Sequence, residues 1–63
     1  MFNREKLKKY MKERGMTNVD VARELGVSEG AIRHIVVGIK QPSLYMACTF
    51  AKMMNCTVDD LID

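Results

Sequence analysis

The sequence predicts an all-α domain, a compact bundle of five short helices, on three observations. No stretch alternates apolar and polar residues as a half-buried strand does. Apolar residues instead recur at helical spacing, in segments bracketed by a capping residue and a stop. The connections between segments are only a few residues long, which packs neighbouring helices together rather than letting them extend as rods.

The first helix is expected from about Asn3 to Arg14, with Asn3 as its cap, Leu7, Tyr10 and Met11 as its stripe and Gly15 as its stop. The second runs from Thr17 to Leu25, where Thr17 and Asp20 approximate a capping box, Val21, Ala22 and Leu25 line the inner face, and Gly26 ends the helix. The third starts at the cap Ser28 and ends at Gly38. The fourth follows Pro42-Ser43 and reaches Asn55, which can take the left-handed C-terminal conformation. The fifth is one or two turns opened by a reciprocal Thr57/Asp60 cap, with Val58, Leu61 and Ile62 packing back on the core. The expected core is Leu7, Met11, Met16, Val21, Ala22, Leu25, Val27, Ile32, Ile35, Leu44, Ala47, Phe50, Ala51, Met54, Val58 and Leu61, with methionines filling irregular gaps.

At 63 residues the chain is one domain, residues 1–63, near the lower limit for independent folding. No apolar run approaches the roughly 20 residues of a membrane span, and no hydrophobic stretch follows Met1 as in a signal peptide, so the expectation is cytoplasmic. Cys48 and Cys56, if carried on one helix, lie roughly 12 Å apart. A disulfide needs about 7 Å, so they read as two small apolar residues in a reduced cell. Two cysteines and one histidine in no ligand spacing do not make a zinc site, and no metal or cofactor is expected. The net charge of +2 decides little, but its distribution is uneven. Met1 to Arg14 carries six basic and two acidic residues, whereas Thr57 onward carries three aspartates and no base. On that reading one end can face a polyanion and the other should not.

The informative stretch is Thr17 to Ile35, TNVDVARELGVSEGAIRHI, a short helix, a turn on Gly26-Val27-Ser28 and a second short helix. A three- or four-residue turn containing glycine makes this a helix-turn-helix. Ala22 is small where the helices approach, Gly26 supplies a positive φ, and Val27 plugs the corner. Projected at about 100° per residue, Ser28, Ala31, Ile32 and Ile35 of the second helix fall on the core side. Glu29, Gly30, Arg33, His34 and Val37 fall on the other. Polar residues in the first two turns sit where a recognition helix meets base edges. Arg33 can donate to guanine O6 and N7, Glu29 can accept from cytosine N4, and His34 can reach a base or a phosphate. Gly30 allows close backbone approach at roughly 1 kcal/mol of helix stability. Glu29 and Arg33 are equally spaced as an ordinary i,i+4 surface ion pair, and an outward histidine is commonly just solvated, so the joint placement carries the reading.

From Leu7 to Ile62 the chain resembles the Cro-like helix-turn-helix domains of phage repressors and small bacterial regulators, the lambda-repressor-like fold. The resemblance rests on Gly15-Met16-Thr17-Asn18, VARELGVS, the Ile32/Ile35 pair, the Gly38-x-x-x-Pro42-Ser43-Leu44 loop and FAKMMNCTVDDLI. It implies a five-helix domain binding double-stranded DNA at pseudo-palindromic operators as a homodimer, and with it a transcriptional repressor; one histidine, no nucleophile-base pairing and no glycine-rich phosphate loop speak against an enzyme. It implies base reading by the helix and cap that hold Ser28, Glu29, Gly30, Arg33 and His34. Thr17, Asn18, Lys40 and Ser43 take phosphate or flanking positions. No small-molecule ligand and no membrane enter this reading. Relatives tend to carry polar or charged residues at Val36 and Val37 and a base at Ile39. These three aliphatic residues can meet thymine methyls, or can form a protein interface. The second option gives an alternative function on the same fold, an antitoxin-like or regulator-binding interaction module using that patch.

Overall fold

In the computed structural model, which describes residues 1–63, each α-helix begins where a side chain takes up an otherwise unpaired backbone N–H. Helix α1 spans Arg4–Arg14, with the Asn3 side chain accepting from the Lys6 N–H. Helix α2 spans Asn18–Leu25 under a complete capping box: the Thr17 hydroxyl accepts from the Asp20 N–H at 3.2 Å, and the Asp20 carboxylate accepts from the Thr17 N–H at 2.8 Å. Helix α3, Glu29–Val36, is capped by Ser28, and helix α4, Leu44–Met54, by Ser43. Asn55 takes the left-handed conformation (φ 54°) that ends α4.

The fifth helix is not an α-helix. Four α-helices are followed by a single 3-10 turn, Asp59–Leu61, and the Thr57/Asp60 cap survives around it. Three residues close only i→i+3 hydrogen bonds, Leu61 N–H to the Val58 carbonyl at 2.9 Å among them. The chain is then drawn out straight: Ile62 is extended and forms an antiparallel bridge with Phe2. Ile62 therefore stays partly exposed instead of packing back on the core. Helix α3 also ends two residues before Gly38, at Val36.

Phe50, Leu7, Ile32, Leu61 and Val21 are fully buried, and helix α2 packs chiefly against α3. Two expectations about the core fail. Leu44 is 74% exposed although it shares the helical stripe of Ala47 and Ala51, because it is the first residue of α4, one turn ahead of the first buried one; Met46 and Met53 pack partly against the core. Phe2, not expected inside, is buried with its ring tilted against Phe50 at 5.4 Å. Both thiols are free, with Cys48 exposed. No helix is long and apolar enough to cross a membrane.

The basic and acidic ends, far apart in the sequence, are brought together by the fold. The Lys6 ammonium donates to the Asp60 carbonyl at 2.6 Å, Asn3 Nδ2 donates to the Asp63 carboxylate at 3.1 Å, and the Asp63 N–H donates to the Met1 carbonyl at 2.9 Å.

The two caps set an acid limit on the fold. The Thr17 N–H, its hydroxyl and the Arg23 charge hold the Asp20 carboxyl below its ordinary 3.8, and Thr57 with Lys6 does the same for Asp60. A pKa lowered on folding gives stability that is present above the unfolded value and is lost as pH falls through the folded one. Stability should therefore decline on acidification below about pH 3.8. Asp20→Asn combined with Asp60→Asn should flatten this acid limb in thermal melts at stepped pH; an unchanged slope would locate the acid sensitivity elsewhere.

Candidate nucleic-acid interface

Helix α3 is held by its inner face and bare on its outer one. Ile32 and Ile35 are buried, and Val36, one helical turn beyond Ile32, packs partly against the core. Arg33 and His34 are exposed and Glu29 and Gly30 half-exposed. Helical projection puts Ser28 on the core side, but it is exposed: as the cap it stands outside the helical turn, its hydroxyl accepting from the Ala31 N–H at 3.2 Å.

Arg33 Nη1 donates to Glu29 Oε1 at 2.6 Å. The i,i+4 pair is thus formed, with the Arg33 side chain still 53% exposed. A guanidinium has five donors, so one bond to Glu29 steadies the fork without using it up. The fold itself makes no demand for Gly30. A Cβ there would meet only the Arg33 guanidinium, at an ordinary 3.7 Å. Gly30→Ala should then raise stability by about 0.5–1 kcal/mol. If α3 must lie close to a partner surface, the same substitution should weaken binding. Paired urea titrations and binding isotherms check this, and a gain or loss in both together contradicts it.

The flanking residues sit at the starts of helices. Thr17 has both its N–H and its hydroxyl engaged with Asp20, which leaves Asn18, the first residue of α2, as the freer group there. Asp20 and Glu29 put a carboxylate in the first turns of α2 and α3, whereas the first turn of α4 holds none. Helix N-termini attract anions, and a carboxylate already there opposes a second one. The α4 start, with exposed Ser43, is therefore the best suited of the three to a phosphate. Exposed Lys40 lies three residues before it in the connection that the His34 carbonyl anchors, accepting from the Ile39 N–H at 2.9 Å and the Lys40 N–H at 3.2 Å.

The aliphatic patch is smaller than the sequence implies. Val36 turns inward, and Val37 (53% exposed) and Ile39 (75%) remain. Two residues that sequence reading passed over hold this connection: Gln41, whose side-chain oxygen accepts from the Phe2 N–H at 3.0 Å, and Arg4, which donates to the Val37 carbonyl at 2.7 Å. Both contacts span more than 30 residues, and no local pattern announces them.

The helix-turn-helix family model matches residues 7–61. An uncharacterised HTH-type transcriptional regulator of Methanocaldococcus jannaschii is 36% identical over 58 residues, 92% of this chain and 88% of that one. Two solved structures share the fold. One is a chain of the SinR protein/SinI protein complex, with a TM-score of 0.83 and 22% identity over 97% of this chain; the present chain spans 60% of its length. The other is SinR, the master regulator for biofilm formation, in complex with DNA, with a TM-score of 0.82 and 23% identity over 95% of this chain and 97% of that one.

Proposed function

The chain belongs to the helix-turn-helix family of the Cro/C1 type, and on that premise we propose that it is a sequence-specific DNA-binding regulator, a repressor that reads its operator through α3 as a homodimer. The observation that carries this reading is the division of α3: Ile32 and Ile35 are locked in the core, while Arg33, Glu29 and His34 stand together on the free side with Gly30 between them. A helix held this way can enter a major groove, about 12 Å wide, and present base-reading groups without rearranging. Arg33 reads guanine, Glu29 accepts from a cytosine or orients Arg33, and Ser28, Gly30 and His34 complete the reading surface. Asn18, Lys40, Ser43 and, through its cap, Thr17 hold the flanking phosphates. The same fold occurs in SinR in complex with DNA, which supports double-stranded DNA as the partner class. Bound across an operator, such a dimer blocks access to it, which is the basis for repression.

Selection from a random duplex library at near-physiological salt tests the proposal. Two inverted half-sites about one helical turn apart, roughly 34 Å, are expected in the retained pool. Retention without enrichment, and only at low salt, would reduce the affinity to generic phosphate contact. The exposed Val37 and Ile39 would then favour the second reading, an interaction module for a protein partner.

A further inference from the structure

From the contacts behind α3 we infer that Arg4 is a positioning residue for the DNA-reading helix, acting through the connection between α3 and α4; the inference rests on the DNA-binding reading above. Arg4 opens α1, yet its guanidinium crosses to the far end of α3 and donates to the Val37 carbonyl, one of the last carbonyls of that helix, at 2.7 Å. A cation there meets both an unpaired acceptor and the negative end of the helix dipole. The guanidinium also occupies the space beside Gly38. Gly38 has φ +87°, and a Cβ built on it would run into the Arg4 side chain. Glycine at this position is thus required twice, for its backbone conformation and for the arginine that lies against it.

The neighbouring contacts turn this single bond into a clasp. The Phe2 N–H donates to the Gln41 side chain at 3.0 Å, and Phe2 is fixed by its ring against Phe50 and by its bridge to Ile62. Residues 2–4 therefore grip both ends of the Val37–Gln41 connection. Between those ends the His34 carbonyl holds the Ile39 and Lys40 N–H groups. Arg4 contributes nothing to the outer face of α3. It fixes the angle at which the connection leaves the helix, so that Lys40 and Ser43 meet phosphates when Arg33 meets a base.

The test compares the parent chain with Arg4→Met, which keeps length and apolar bulk but has no donor, and with Arg4→Lys, which keeps the charge but not the planar fork. Amide hydrogen exchange without DNA is read at Ile39 and Lys40, with Phe50 as the global reference. Arg4→Met should speed exchange at Ile39 and Lys40 several-fold more than at Phe50. On the selected operator its affinity should fall roughly three- to tenfold, the worth of one net hydrogen bond, with the preferred sequence unchanged. Arg4→Lys should lie between the two, and it carries the comparison if Arg4→Met does not fold. Unchanged relative exchange at Ile39 and Lys40 overturns the inference whatever DNA does. So does full operator affinity in a folded Arg4→Met. If the parent chain binds no DNA while the exchange effect is present, the DNA-binding reading fails and the clasp stands as a structural feature only.

Discussion

Phe50→Ala is expected to leave the chain largely unfolded at room temperature or slightly above it. Phe50 is fully buried in the middle of α4 and is the partner of the Phe2 ring. Truncating a buried phenylalanine to alanine costs about 3–5 kcal/mol, the lost transfer energy plus that of the cavity left behind. A domain of this length has only roughly 3–9 kcal/mol in total. The loss also spreads: once Phe50 is gone Phe2 has no ring to pack on, and the terminal pairing it anchors loosens. A thermal melt by circular dichroism should show a drop of roughly 12 °C or more, or no cooperative transition at all. Phe50→Leu, which refills most of the volume, should be far milder. A Phe50→Ala protein melting within a few degrees of the parent would mean that α4 is held by something other than this core.

Arg33→Ala should have the largest effect on function and a small one on the fold. Its ion pair with Glu29 is exposed, and such pairs contribute a few tenths of a kcal/mol. A bidentate contact to guanine is worth about 1–3 kcal/mol, so operator affinity should fall roughly 5- to 150-fold. One position of the selected site should lose its base preference while the others keep theirs. Fluorescence anisotropy on the operator and on single-base variants separates two outcomes. Loss confined to one base pair assigns Arg33 to base reading. Equal loss on every sequence, with a shallower salt dependence, makes it a phosphate contact.

Local chemistry made much of this architecture readable in advance. Asn3, Thr17, Ser28 and Ser43 cap the helices because a short hydroxyl or amide oxygen beside a free N–H works wherever it occurs. The faces of α3 followed from 3.6-residue periodicity, except at Ser28, which as a cap does not obey it. Periodicity failed where tertiary surroundings decide. Leu44 has the right residue type and spacing for a core but stands at the exposed start of α4, where nothing closes over it. Phe2 lies in a segment with no period and is buried by residues some 50 positions away. Thr57 and Asp60 announced a cap, yet nothing local showed that the turn behind it would stop after three residues to let Ile62 pair with Phe2. Of the candidate interface, the exposed side of α3 was legible from its periodicity, Ser28 excepted. The clasp on its supporting loop was not, since Arg4 and Gln41 act across the whole chain.

The Phe2–Ile62 bridge turns the chain into a nearly closed ring, and this orders how the molecule assembles. The entropy lost in closing a loop grows with the logarithm of its length. Joining ends about 60 residues apart therefore costs roughly 2–3 kcal/mol more than closing the short turn between α2 and α3. Contacts between α2 and α3 are local and form early, so the helix-turn-helix pair assembles before the ring does. The seam at the termini closes last and is the first to open. Local opening in the native protein thus begins at Phe2 and Arg4, freeing the far end of α3 while its buried face remains in place.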